Sequence, residues 1–166
     1  MKGLKSYMIK GAIFVSILGT ILHFAYEWSG NNIIVGLFTP INESIWEHTK
    51  LIFFPMLIYS LYLKKKIGTQ YPCISSAMTF GALFGVLLII ALYYTYSGII
   101  GYNVSFVDIS IFYISVIIAF YTAYRLTLSC SAERYNSVLQ ILQIILICLF
   151  ITFTFSPPGI PLFINP

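Results

Sequence analysis

Two short strings hold most of the groups in this chain that could do chemistry: His23-Phe-Ala-Tyr-Glu27 and Asn42-Glu43-Ser44-Ile45-Trp46-Glu47-His48. They contain both histidines and three of the five acidic residues, in a 166-residue chain of which only 8% is charged. Imidazoles and carboxylates together suit zinc, manganese or iron. The same groups crowded in low dielectric take up protons. Near hydrocarbon each is costly unless paired or metal-bound, so residues of this kind mark a working site.

Their spacing suggests how they meet. Glu43 and Glu47 are four apart and can share one helix face, with His48 about 100° further round. Ala12, Ser16, Gly19 with Thr20, His23 and Glu27 recur at intervals of three and four, a small-and-polar stripe that turns ionisable at one end. The segment from Ser29 to Ile41 is short enough to bring the two strings together. The expected metal ligands are His23, Glu27, Glu43, Glu47 and His48, with Glu43 or Glu47 as the catalytic base on bound water. Asp108 either joins them or caps a helix. With neutral histidines, Glu27, Glu43, Glu47 and Asp108 against Lys50 leave a surplus of three negative charges, which favours a bound cation or proton.

Structural readings stand beside these. Ser44-x-x-Glu47 fits a capping box, and acids favour a helix N-terminus. His23 could be a hydrogen-bonded interior histidine. Lys50 could snorkel or pair with Glu47.

The elements that must position these groups are apolar helices. Hydrophobic residues make up 59% of the chain, aromatics 17%, and the mean hydropathy is +0.91. A soluble domain is nearer half apolar and a quarter charged, so the composition indicates an all-α, polytopic membrane protein whose partner is the lipid bilayer. The net charge of +4 does not indicate nucleic acid, because the basic residues lie at the ends of apolar runs. Five runs are long enough to cross a bilayer as a single domain over residues 1–166: Met8–Glu27, Ile45–Leu63, Ser75–Tyr96, Val107–Leu128 and Val138–Phe155. A cytoplasmic N-terminus and an extracytoplasmic C-terminus put eight of the nine basic residues inside, leaving only Lys50 outside. Trp28 and Trp46 then fall at the outer interface.

Other features refine this outline. Cys73 and Cys130 flank loops on the inner side and Cys148 lies mid-span, so no exported disulfide is expected. Gly81-x-x-x-Gly85 allows close helix approach, either within the chain or in a homo-oligomer. Pro55 should kink the second span near Leu51. Gln140 and Gln143 should hydrogen-bond between helices. Ile33 to Phe38 is apolar but too short to span, which suits a re-entrant or interfacial piece. Ser156-Pro157-Pro158-Gly159-Ile160-Pro161-Leu162-Phe163 should form a stiff tail on the outer face, either folding back as a lid or left floppy.

Trp28-Ser29-Gly30, Pro40-x-Asn42-Glu43-Ser44-x-Trp46-Glu47-His48-x-Lys50 and Pro157-Pro158-x-x-Pro161-Leu162-Phe163 together resemble a family of small bacterial integral-membrane proteins of unknown function. The resemblance spans nearly the whole chain. It implies a multi-pass protein of a bacterial cell membrane and no particular activity. Three function classes stay open: a metal-dependent membrane hydrolase acting on a lipid-like or small extracytoplasmic ligand, an ion- or proton-coupled transporter or channel, and a non-catalytic accessory protein with a structural polar belt. The first leads because the charge lies at one end. No metallohydrolase spacing such as H-E-x-x-H supports it.

Overall fold

In a low-dielectric setting only helices and closed barrels satisfy every backbone hydrogen bond, and apolar runs of about twenty residues select helix. The computed structural model describes residues 2–165, and all regular structure among them is helical. Six α-helices follow in order: α1 (Lys2–Trp28), α2 (Ile33–Gly36), α3 (Ile45–Ile67), α4 (Ile74–Ile100), α5 (Ser105–Ser129) and α6 (Asn136–Phe155). Short 3₁₀ turns cover Glu133–Tyr135 and Pro161–Phe163.

Four helical segments are long and apolar enough to cross a membrane: Gly3–Trp28, Ile74–Ile100, Ser105–Ser129 and Glu133–Phe155. α3 does not meet the same measure of apolarity, although its 23 residues reach about 35 Å. The reason is its place in the bundle. It lies at the centre, packed against α1, α4, α6 and the C-terminal turn, and most of it is buried. A helix screened by its neighbours has no need to be uniformly oily, so Glu47 and Lys50 sit inside it.

α1 and α3 run antiparallel. The Tyr59 hydroxyl donates to Tyr7 O at 2.7 Å near one end, and His23 meets His48 near the other. The outward face of α1 is a stripe of exposed isoleucines, Ile9, Ile13, Ile17 and Ile21, at four-residue steps. Gly19 lies against α3, where an added Cβ would stand 2.7 Å from Leu51 O. That carbonyl is the one Pro55 leaves without its helical donor. Thr79 donates to Gln143 Oε1 and accepts from Gln140, so both glutamines bridge α4 and α6 as expected.

The close-approach motif is used inside the chain. A Cβ on Gly81 would stand 2.9 Å from Ala119 O of α5, and one on Gly85 would stand 2.6 Å from Ile52 Cδ1 of α3. Both glycines are buried in contacts within the chain.

The cysteine expectation requires correction: Cys73 and Cys130 form a disulfide, with Cα atoms 5.4 Å apart and 57 residues between them. α4 packs against both α3 and α5, which brings the α3–α4 and α5–α6 connections to the same end. There Ser76 also donates to Glu133 at 2.6 Å. Cys148 remains free and exposed.

The tail folds back, but not as a lid on the polar cluster. Phe163 is buried against Trp46 and Phe153, with ring centroids 5.1 Å away in each case. Gly81→Val should cost about 1–3 kcal/mol, because the backbone oxygen it meets cannot move aside cheaply. A fall in thermal midpoint would register this; an unchanged midpoint with a changed oligomeric state would place the motif between chains instead.

Candidate metal centre

The local sequence sends the two glutamates of the second string in opposite directions. α3 begins at Ile45 with Ser44 as its cap, and Ser44 Oγ accepts from Glu47 N at 3.4 Å. Glu43 therefore precedes the helix. The shared helix face assumed for Glu43 and Glu47 does not exist, because position 43 lacks helical backbone. Ser44 N donates to Asn42 Oδ1, which shapes the turn. Glu43 reaches toward α1, with its side chain 64% exposed, while Glu47 turns into the bundle at 2%.

Glu47 belongs to a buried polar knot. Lys50 Nζ donates to Glu47 Oε2 at 2.7 Å, Thr154 Oγ1 at 2.6 Å, Gly36 O at 3.0 Å and Thr39 O at 3.4 Å. Glu47 Oε2 also accepts from Ile41 N. Lys50 therefore does not snorkel; it is fully buried, and its charge is balanced by Glu47. The knot joins α2, the α2–α3 connection, α3 and α6. α2 itself is capped by Asn32, whose Oδ1 accepts from Ile34 N and Val35 N.

The other members of the two strings converge. His23 Nε2 and His48 Nε2 lie 3.1 Å apart. Glu43 Oε2 is 3.4 Å from His48 Nε2 and 3.7 Å from His23 Nε2. His48 Nδ1 lies 2.9 Å from Ser44 O. A carbonyl only accepts, so Nδ1 carries a proton. In a neutral ring the Nε2 lone pair then points at His23 and Glu43. These three atoms can face one another when His23 Nε2–H donates, when an imidazole takes up a second proton, or when a cation sits between them. The His48 ring, within hydrogen-bond reach of the Glu43 carboxylate, holds that carboxyl below the usual carboxylate range, and burial opposes it only in part.

Glu27 stands apart. It is exposed at the end of α1, and among the described residues the group of three that could hold a metal ion is His23, Glu43 and His48. Asp108, in the first turn of α5, accepts a hydrogen bond from the Tyr96 hydroxyl.

All three candidate ligands line a cavity of ≈580 Å³, as does Asp108. The rest of its wall is largely apolar, with Leu51, Ile89, Ile111 and Phe112 at its sides. Neither this cavity nor the role of Ser44 O as a backbone acceptor is visible in residue types. Both arise from where α3 starts.

A family model matches the chain over residues 1–166. The chain belongs to DUF6512, a family of unknown function. No curated protein matches it, and no solved structure matches it.

The two glutamates should separate cleanly on substitution. Glu47→Gln leaves the Lys50 charge buried without its counter-ion, and should lower stability by about 3–5 kcal/mol. Glu43→Gln, at an exposed position, should leave the thermal midpoint within a degree or two of wild type. Denaturation of the two variants side by side checks the assignment; equal losses would contradict it.

Proposed function

We propose that His23, Glu43 and His48 bind one divalent metal ion, zinc in the first instance, and that the metal activates water for hydrolysis at the membrane. The observation that carries this reading is the set of donor separations, 3.1, 3.4 and 3.7 Å. A tetrahedral zinc with bonds of about 2.0–2.1 Å spaces its ligands about 3.3 Å apart. Three protein ligands leave a fourth position open, the arrangement of catalytic rather than structural zinc. Because all three ligands line the cavity, that position faces it. The His48–Ser44 hydrogen bond supports the reading, since ligating histidines characteristically donate their other N–H to a carbonyl or carboxylate.

In this reading the bound water ionises near neutral pH, and no separate strong base is needed. Glu47 and Glu27 are not ligands: Glu47 is committed to Lys50, and Glu27 lies outside the group of three. The topology completes the proposal. α3 crosses as a fifth span, the N-terminus lies inside, and the metal centre sits at the outer end of α1 and α3 in the cell membrane.

Metal analysis of purified protein, loaded with zinc and desalted, should find close to one ion per chain. His23→Ala, His48→Ala and Glu43→Gln should each reduce occupancy by at least about tenfold at limiting zinc, while folded Glu47→Gln should retain it. An absence of metal in wild type at neutral pH overturns the reading. Affinity should fall on acidification, because an imidazole must be neutral to ligate. Glu43, whose carboxyl is held low, stays ionised while the histidines take up protons, so the histidines set the midpoint. Zinc-loaded protein should cleave a p-nitrophenyl acyl ester, and chelation or His48→Ala should abolish the turnover.

The orientation has its own test. It turns the Cys73–Cys130 end toward the cytoplasm, where thiols are kept reduced. Alkylation of intact cells before lysis should find the pair available as thiols, and it should oxidise to the disulfide on purification in air. A pair fully blocked as disulfide in those cells would place that end outside and reverse the orientation.

A further inference from the structure

The cavity before the histidines has an unusual outer wall. It is made by the outer halves of α1 and α5, two helices apolar enough to cross a membrane. Lower down, these helices are closed against each other. Thr20 Oγ1 lies 3.0 Å from the Tyr113 hydroxyl, and Gly19 lies so near Phe112 that a Cβ there would be 2.6 Å from its ring. Toward the histidine end the seam opens. Phe24 on α1 and Ile109 on α5 both line the cavity and are 44% and 56% exposed. Glu43, Asn103 and Ser105 also line the cavity and are exposed, so the opening runs from the polar end of the bundle into the seam between α1 and α5.

What lies beside that opening follows from the rest of the two helices. Ile13, Ile17 and Ile21 on α1 and Ile114 and Ile117 on α5 form exposed apolar faces around it, of the kind that meets acyl chains. An opening in this seam would adjoin acyl chains where α1 and α5 cross a membrane. The cavity walls are largely apolar, and besides the two histidines, Glu43 and Asp108 they carry an amide, two aliphatic hydroxyls and two tyrosines. Such a site takes a molecule with one long apolar part and one polar part, each matched to its own environment. A small polar solute would gain nothing from Leu51, Ile89 and Ile111.

We propose that the site binds a long-chain bilayer amphiphile, a fatty acyl ester or acid, which moves in sideways between α1 and α5 and places its carbonyl end at His23, Glu43 and His48. The inference rests on the metal-centre reading for what happens to that carbonyl, but the opening in the seam and the apolar walls are independent of the metal.

The test uses a sixteen-carbon fatty acid carrying a diazirine near its tail, photolysed with the full chain in phosphatidylcholine nanodiscs, with and without added zinc. Adducts should concentrate on peptides of α1 and α5 that flank the mouth, and excess palmitate should displace them while acetate does not. Ile109→Trp, which fills the mouth from an exposed position, should weaken labelling on the order of tenfold. Ile117→Trp, two turns further along α5 and also exposed, should not. Labelling spread over all the lipid-facing helices and insensitive to palmitate overturns the proposal, as does equal labelling of the two tryptophan variants. Saturable labelling in protein that fails to take up added zinc would uphold the amphiphile and refute the metal centre. Stoichiometric zinc without saturable labelling would do the reverse.

Discussion

A single buried ammonium organises the end of the molecule where the chemistry is concentrated. Lys50 is fully buried, and its Nζ is met by a carboxylate, a hydroxyl and two backbone carbonyls from four parts of the chain. An uncompensated charge there would be prohibitive, so each partner is held as firmly as the lysine needs it. Two of those partners, Gly36 and Thr39, belong to the connection between α1 and α3. Fixing them fixes the path that follows: Ile41 onto Glu47, Asn42 onto Ser44, and Glu43 toward the histidines. The charged pair is therefore a positioning device for a residue that it does not touch.

The histidines depend on a second constraint, the close approach of α1 to α3. Gly19 permits it, one turn before His23, where any side chain would meet the Leu51 carbonyl. Pro55 sets that carbonyl free. Glycine on one helix and proline on the other thus let the two backbones come close enough for rings 25 residues apart to bring their Nε2 atoms to 3.1 Å. On α3, Ser44 both caps the helix and orients His48 through its carbonyl. Several local choices, each ordinary alone, agree on one arrangement.

Much of this is legible in residue types, and the rest fails for reasons that can be named. The helices show in the apolar runs, although α1 and α3 extend past the expected Met8 and Leu63 to Lys2 and Ile67. Hydropathy stops at lysines, whereas helical backbone does not, since lysine is a good helix former. His23, Glu43 and His48 were identifiable as ionisable groups in an oily chain. The separate fates of Glu43 and Glu47 were not, because a four-residue interval means one face only if the helix already includes both residues. Ser44, which marks the helix start, was the available signal; read strictly as a cap, it leaves Glu43 outside. The disulfide is not legible in residue types, because it depends on α4 packing against both α3 and α5, which brings together two loops 57 residues apart. Glu27 is a different case. The small-residue stripe predicts its direction from an ideal periodicity, but α1 ends one residue later at Trp28, and beyond the last packed turn nothing draws a side chain inward.

The surplus of negative charge inferred from the two strings is smaller in the fold than in the count. Glu47 is cancelled by Lys50, and Glu27 is exposed outside the cluster. Beside the histidines there remains one carboxylate, Glu43, with Asp108 on another wall of the same cavity. That change alters what the site would favour. A divalent ion held by two neutral imidazoles and a single carboxylate keeps a net positive charge, and in a cavity with mostly apolar walls that charge is poorly screened. It would attract an anionic fourth ligand, whether hydroxide from water or the carboxylate of an acyl chain. Glutamate at position 47 as a further ligand would have neutralised the ion and removed that attraction. The commitment of Glu47 to Lys50 thus does two things at once: it fixes the loop that carries Glu43, and it leaves any metal bound by Glu43 and the histidines electrophilic.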